Sequence, residues 1–528
     1  MRKPILLLAA AALVAAPLAA QSTRPERTNA RETSTYADVV GFVDSLQHLG
    51  AGIRVGILGK SPQGRPIPYV IAARPMVYSP SEARRTGKPI IYLQGNIHSG
   101  EVEGKEVVQM MLRDLTLGSL KPLLDSIVLI AVPIYNTDGN ETFGPGERNR
   151  PDQNGPAIVG GSENGQGLNL NRDYFKMEAP ETRGSMALLT RWDPDLFVDL
   201  HTTDGSYHGY VLTYSPGLNP NSNPLNDYGR DTFLPTLRAR MESRHHEKVF
   251  PYGNFRNQDP DSLVLGWETY EPGPRFGTNL FGLRGRMALL SEAYSHADFQ
   301  TRITATYNFV HEILSLAAEQ VATIHRLVVE SDHYRPDSVT VRSQYAKPKM
   351  EDVIAEVTKP AGQGSSGYSR RVQTGVFKTI RMPVYDQFAP ARREAMPVNY
   401  VLPAEWSHLA DLLRRQGIIV NQLSEPWLGP VEHFMVDSVT AQMRPFQGHR
   451  LVTVDGSWKA AARDSLPAGT YLVNTDQPLG ALAAYLLEPA SEDGFVTWGL
   501  LDRAIQRRRP YPLTRTRVPV HAVMRQVP

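Results

Sequence analysis

A mixed α/β fold, a β-sheet flanked by helices, is predicted for the first two-thirds of this chain on three observations. Apolar runs rich in Val, Ile and Leu recur at 89–93, 127–134, 196–200 and 287–291. Such runs mark strands buried on both faces. Amphipathic or helix-like stretches fall around them at 36–49, 102–117, 226–246 and 303–327. Finally, polar groups able to do chemistry stand at the ends of three of the runs, where open α/β sheets build their sites.

Taken in order, the chain begins with Arg2 and Lys3 before an apolar run from Ile5 to Leu18, and Leu18-Ala19-Ala20 offers a small-residue cleavage site. Residues 1–20 are therefore predicted to be a signal peptide, leaving a secreted or periplasmic protein with no membrane anchor after cleavage. A length of 528 residues exceeds one ordinary core, so two regions are expected, 21–330 and an accessory α/β region at 331–528. A net charge of +2 gives no reason to expect nucleic acid as a partner. The chain has no cysteine, which excludes disulfides and thiolate catalysis. Any zinc site must then be built from imidazole and carboxylate.

Residues 36–49 carry Val39, Phe42, Val43 and Leu46 at helical spacing. Residues 54–59 and 67–72 read as two strands around the turn residues 61–65. The run 89–93 leads into Gln94-Gly95-Asn96-Ile97-His98-Ser99-Gly100-Glu101, and a helix is expected over 102–117. His98 and Glu101 are expected on its first turn with both side chains pointing the same way, where they could hold a zinc ion. The run 127–134 ends in a turn at 136–139. A long Gly-, Asn- and Pro-rich loop, 140–168, leads to Asn169-Leu170-Asn171-Arg172. His201 directly follows one strand and Glu292 another, and a second long loop at 247–283 carries Tyr270. Beyond residue 330 the texture changes. Residues 362–367 read as flexible, and 400–500 as short strands mixed with helices. Leu409, Leu412 and Leu413 form a helical face that Gly417 ends, before a strand at 418–420. Glu103 and Glu106 read as a solvated helix face, and His245-His246 as a helix end. His208 and His296 lie near the candidate site in sequence without a partner at ligand spacing.

Two histidines and one carboxylate form a known zinc ligand set with an open fourth position, and a further carboxylate can work on the water there. His98, Glu101, His201 and Glu292 supply that count.

These motifs occur in the same order over residues 36 to 327 as in the zinc carboxypeptidases of the carboxypeptidase A type, which the chain resembles. They are Gly59-Lys60-Ser61-x-x-Gly64-Arg65, Gly95-Asn96-Ile97-His98-Ser99-Gly100-Glu101, Asn136-Thr137-Asp138-Gly139, Asn169-Leu170-Asn171-Arg172, strand-His201 and strand-Glu292. The resemblance implies one zinc ion on His98, Glu101 and His201, with Glu292 as general base. It implies that Asn171 and Arg172 hold the carboxylate of a peptide or protein C-terminus. An arginine beside the scissile carbonyl would be Arg150, with Arg148 as the neighbour it is preferred to, and Tyr270 would close the site on a mobile loop. The chain departs from the family pattern in carrying Asn169 where an aspartate is frequent, Gly100 where an arginine is frequent, and no disulfides. Two other functions fit the same residues: a zinc amidase, deacylase or peptidoglycan stem-peptide hydrolase, and a peptide-binding protein without catalysis.

Overall fold

A computed structural model describes residues 21–221, 223–363, 369–501 and 504–527. The predicted signal peptide and residues 364–368 of the Gly/Ser-rich stretch lie outside the described residues.

The apolar runs build one sheet. Its strands are β1 (Ile53–Lys60), β2 (Pro66–Ala72), β3 (Ile90–Gly95), β4 (Val128–Val132), β5 (Leu196–Thr202), β6 (Leu212–Pro216), β7 (Val249–Pro251) and β8 (Met287–Ala293). They lie in the order β1-β2-β4-β3-β5-β8-β6-β7. Strands β4, β3, β5 and β8 run parallel, and every residue of the four is buried. β1, β2 and β6 pair antiparallel to their neighbours nearer the centre. The sheet is therefore mixed, as expected, and its parallel centre is covered on both faces.

The helices are α1 (Tyr36–His48), α2 (Glu103–Thr116), α3 (Pro180–Trp192), α4 (Leu234–His245), α5 (Gly277–Leu283), α6 (Phe299–Glu319) and α7 (Val321–His333). The single helix expected at 303–327 is two, because Gln320 leaves helical geometry (φ −106°, ψ 22°). The stretch 226–246 is interrupted by a π turn at Gly229–Phe233, just ahead of Pro235, which has no N–H to continue the α ladder.

The family-like motifs meet around one carboxylate. Buried Asp138 accepts from Ser61 Oγ at 2.6 Å, from the Gln63 N–H at 2.9 Å and from Arg65 Nη1 at 2.6 Å. The Asn136 side chain donates to Ile97 O at 3.2 Å and Ser99 Oγ donates to Asn136 O at 2.8 Å. The hairpin turn after β1 and the turn after β4 thus brace the loop that carries His98.

Glu103 and Glu106 are not solvated. Both are buried, because α2 is covered by the sheet, α6 and the N-terminal segment. Glu106 accepts from Thr33 Oγ1 at 2.7 Å and from Ser34 N and Oγ at 2.7 and 2.6 Å. Glu103 pairs with Arg302 Nε at 3.2 Å and accepts from the Thr202 hydroxyl. Helical periodicity places a residue on a face but does not say that the face is covered.

Past residue 330 the chain is mostly β. Strands β9 (Ser338–Tyr345), β10 (Lys349–Gln363), β11 (Ser369–Tyr385), β12 (Phe388–Ala395), β13 (Asn399–Leu402), β14 (Asn421–Leu423), β15 (Trp427–Ala441), β16 (Val452–Leu466), β17 (Tyr471–Asn474), β18 (Pro510–Thr516) and β19 (Met524–Gln526) are joined by α8 (Ser407–Arg415) and α9 (Gly480–Leu487). Seven of the strands form a second sheet, β16-β15-β18-β13-β17-β14-β19. The expectation of short strands over 400–500 fails for the hairpin β15–β16, and a second long hairpin, β10–β11, precedes that range. Their strands are 15 to 17 residues long and largely solvated, so they lack the continuous apolar runs that flag a buried strand. Gly417 (φ 83°) does end α8. The strand expected at 418–420 starts only at Asn421, since the Ile418 N–H turns back to Leu413 O at 3.0 Å and closes the helix end.

The apolar core runs across residue 330. Tyr174, Phe175, Phe197 and Phe281 lie in the same buried cluster as Tyr400, Leu402, Leu413 and Trp498. The β10–β11 hairpin also adds to the first region, pairing Val384 and Tyr385 with Trp267 and Glu268. The buried Glu103–Arg302 pair yields a stability prediction. Glu103→Ala leaves a buried guanidinium without its counter-charge and is expected to lower the unfolding free energy by about 3–5 kcal/mol, measured from the urea midpoint at unchanged slope.

Candidate active site

The site forms at the C-terminal ends of β3, β5 and β8. A Cβ placed on Gly95, at the end of β3, would lie 2.7 Å from the Gly104 carbonyl carbon. Strand and helix cross that closely, and the chain makes the connection through Asn96 at φ 69° and a turn closed by Glu101 N–H to His98 O at 3.0 Å. His98 and Glu101 therefore sit on this turn, not on a first helical turn; α2 starts at Glu103. His201 and Glu292 were expected just past their strands. They lie inside them, as Cα partners in adjacent parallel strands, because the β5–β8 ladder continues to Thr202 and Ala293.

Glu101 is the hub. Its Oε1 is 3.0 Å from His98 Nδ1 and its Oε2 is 2.9 Å from His201 Nδ1. One donor atom from each residue lies within 4.8 Å of the others. The outer ring nitrogens have their own partners. His98 Nε2 is 3.1 Å from Asn169 Oδ1, and His201 Nε2 is 3.1 Å from Asp199 Oδ2. Asp199 was missed in the sequence, though its position two residues before His201 puts it on the same face of a strand.

Arg150 reaches the hub and Arg148 does not. Arg150 Nη1 donates to Glu101 Oε1 at 3.1 Å, and its Nη2 donates to the carbonyls of Thr202 and Thr203 at 3.1 and 3.0 Å. Arg148 is exposed and bonds Asn149. The departure at Gly100 has a steric reason: a Cβ there would lie 2.5 Å from Arg150 Cγ.

Burial alone would raise the Glu101 carboxyl, but the charges of His98 and Arg150 and the bonds from both imidazoles hold it well below the usual carboxylate range. Burial would lower His201, but Asp199 and Glu101 hold it well above its usual value. Burial pushes Glu292 well up, against His201 and Arg150, with Glu101 and Asp204 adding to the rise. Two carboxylates of one site are thereby driven apart in proton affinity.

A cleft of about 260 Å³ opens beside the cluster and Glu292, walled by Asn171, Arg172, Tyr252, Tyr270, Phe276 and Leu290 among others. Asn171 Oδ1 accepts from the Gly277 N–H at 3.1 Å. Arg172 stacks on Phe276, 4.2 Å from the ring centre, and donates to Asn171 O at 2.9 Å. No carboxylate pairs with Arg172 among the described residues, and burial together with Arg275 pulls it down to about 10. Tyr270 is packed inward, its hydroxyl 2.9 Å from Thr278 Oγ1 and its ring against Tyr252 and Phe276. Tyr252 and Phe276 carried no sequence signal, since both lie in the stretch 247–283, which reads as one long loop but holds β7 and α5 with largely irregular chain between them.

His208 and His296 are not among the cleft walls. His208 is buried against Tyr294 and stands where the segment after β5 meets β10, bridging Ala355; His296 stacks on Tyr207. His245 ends α4 and His246 caps it in the left-handed region, as expected of a helix end. His245, His311 and Glu312 also cluster, but Arg244 and Arg240 hold the Glu312 carboxylate at 3.1 and 3.6 Å.

An α/β sheet with a largely buried His–Glu–His cluster and a further carboxylate at the ends of its parallel strands is an arrangement able to hold a metal ion. Residues 42–257 match the zinc carboxypeptidase family. The carboxypeptidase 2 of Trichophyton equinum is 25% identical over 480 residues, covering 86% of this chain and 81% of that protein. The carboxypeptidase 2 of Trichophyton rubrum is 23% identical over 477 residues with the same coverage. Among solved structures, a metallo-carboxypeptidase from Burkholderia cenocepacia aligns with a TM-score of 0.39 at 15% identity, over 55% of this chain and 70% of that one. The carboxypeptidase A of Helicoverpa armigera aligns with a TM-score of 0.40 at 15% identity, over 56% and 75%. Residues 42–257 thus form a zinc carboxypeptidase domain, and the chain is a zinc metallopeptidase. No helix among the described residues is long and apolar enough to cross a membrane.

The buried imidazole beside the site sets an acid limit. Burial and the neighbouring His296 pull His208 down to about 3, against about 6.5 in an unfolded chain. Between those values the unfolded state binds the extra proton, so stability falls as pH drops through the window, by at most about 1.4 kcal/mol per pH unit from this group. In denaturation measured from pH 7 to pH 3, His208→Gln is expected to lose less stability than the wild type.

Proposed function

We propose that the protein is an exported carboxypeptidase that hydrolyses the last peptide bond of a chain, with one zinc ion held by His98, Glu101 and His201. The observation that carries this reading is the meeting of two features in one cleft: a largely buried His–Glu–His cluster, and Arg172, which has no carboxylate partner among the described residues. The cluster fits a zinc ion in its donors. Both imidazoles turn Nδ1 toward the hub; Asn169 Oδ1 bonds the outer nitrogen of His98, and Asp199 lies at ion-pair distance from that of His201. Zinc bound there polarises the scissile carbonyl and makes the attacking water more acidic.

The remaining work falls to this chain's side chains. Glu292 takes the proton of the attacking water and returns it to the leaving amine. Burial raises its proton affinity, the direction that favours a carboxylate which must take a proton and hold it until the amine leaves. Arg150, fixed by the carbonyls of Thr202 and Thr203 and paired with Glu101 and Asp204, would supply positive charge beside the negative charge that develops on the carbonyl oxygen. Arg172 offers a planar fork to the terminal carboxylate, with Asn171 beside it. Tyr270 and Phe276 wall the cleft around the terminal residue. Because the anion site lies in the same cleft as the cluster, a chain without a free carboxylate nearby gains nothing from Arg172. Residues 331–528 are proposed as an accessory region that supports the cleft wall. Export rests on the leader-like composition of residues 1–20.

Three outcomes check the assignment. Peptides with a free carboxyl terminus are expected to be cleaved and their amidated counterparts not. Arg172→Met is expected to lower kcat/KM by about 100-fold, on the order of the ~3 kcal/mol of a charge-assisted contact. Equal rates on free and amidated termini would favour the amidase reading instead. Glu292→Gln is expected to abolish turnover while zinc content, measured by elemental analysis, stays at the wild-type level. Activity left intact in that variant would remove Glu292 from the mechanism, and wild-type protein that binds zinc without cleaving any peptide would favour a binding role.

A further inference from the structure

We propose that Asp493, in the C-terminal region, is a positioning residue for the substrate-carboxylate site. The inference rests on the carboxypeptidase reading above and adds to it a residue from outside residues 42–257, the part of the chain that matches the family.

The cleft wall at 269–277 is one irregular segment. It carries Tyr270, Phe276 on which Arg172 stacks, and the Gly277 N–H that holds Asn171. The C-terminal region grips it at both ends. At the start, the Thr269 N–H donates to Tyr385 O at 3.0 Å and Tyr345 Oη donates to Thr269 O at 2.9 Å. At the far end, Asp493 accepts from the Arg275 N–H at 3.0 Å and from Arg275 Nη1 at 3.0 Å. Trp498 Nε1 donates to the same Asp493 oxygen at 2.7 Å and fixes the carboxylate from behind. Asp493 is 1% exposed and Trp498 is fully buried. The approach is as close as a glycine permits, since a Cβ on Gly273 would lie 2.1 Å from Asp493 Oδ2.

The grip also sorts two arginines. Arg172 and Arg275 contact the same Phe276 ring, at 4.2 and 4.9 Å. Arg275 is occupied by Asp493 and Glu271, whereas Arg172 has no such partner among the described residues. An incoming carboxylate therefore meets Arg172 as the available guanidinium. The groups around the metal cluster come from the turn after β3, from β5 and β8 and from the segment with Arg150, and among the described residues Asp493 bonds Arg275 and Trp498 instead.

The test is steady-state kinetics of the full-length, zinc-loaded enzyme on peptides with a free carboxyl terminus, comparing wild type, Asp493→Ala and Trp498→Phe. Releasing the segment displaces Arg172's stacking partner while leaving the cluster in place. The expected result is a KM raised about tenfold in Asp493→Ala and about threefold in Trp498→Phe, each with kcat within about twofold of wild type; sub-ångström misplacement of a substrate clamp has effects of this size. A merely structural role would lower the melting temperature or the fraction of active enzyme and leave KM where it was. KM within about twofold of wild type in both variants overturns the proposal, and Trp498→Phe decides alone where Asp493→Ala does not fold. Cleavage of amidated peptides by the wild type at the rate of free ones would instead remove the carboxylate reading on which the proposal rests.

Discussion

One buried carboxylate organises this molecule. Glu101 is held by two imidazoles and a guanidinium, and an ionised carboxylate at that depth persists only when it is so surrounded. Each partner comes from a different part of the chain, so the sheet must be complete before the group is satisfied. β3 delivers the turn with His98 and Glu101, β5 delivers His201, and the loop before Asn171 delivers Arg150. A single electrostatic requirement thus ties together residues about a hundred positions apart.

Much of the central sheet was legible because its strands are buried on both faces and read as uninterrupted apolar runs. The cluster residues stood out because each follows such a run. What could not be read was anything decided by coverage. Glu103 and Glu106 fall on a helix face that periodicity makes look wet, yet α6 and the segment before α1 close over it. The β15–β16 hairpin was expected to be short strands for the opposite reason: solvated on most of its surface, it carries no long apolar run. Asp199 was legible and overlooked, since a carboxylate two positions before a histidine on a strand shares its face. Tyr252, Phe276 and Asp493 were not legible, because their place in the cleft depends on how irregular segments are held from another part of the chain.

The C-terminal region bears on that last point. Its apolar residues join the buried cluster of the first region, and its β10–β11 hairpin extends the short strand that leads into Tyr270. The Tyr270 segment was expected to be a mobile lid. It is instead tied down at both ends, with the tyrosine packed inward and hydrogen-bonded. A segment with few contacts opens easily; this one has backbone pairing at one end and a buried ion pair at the other, so the wall of the cleft is pre-organised rather than assembled on binding.

The departures from the family pattern work as a set. With no side chain at Gly100, Arg150 occupies that space and reaches Glu101. With Asn169 in place of an aspartate, His98 receives an oriented acceptor but no second negative charge, while His201 has the full charge of Asp199 behind it. The two imidazoles are therefore unequal: a carboxylate behind a ring raises its basicity more than an amide does, and His201 is the one driven well above its usual range. An extra aspartate at 169 would add one more negative group to a site that already holds Glu101, Glu292, Asp199 and Asp204, with Arg150 as the guanidinium bonded to Glu101. The amide keeps the ring in place without that charge, which is the physical sense of its presence beside an arginine already committed to Glu101.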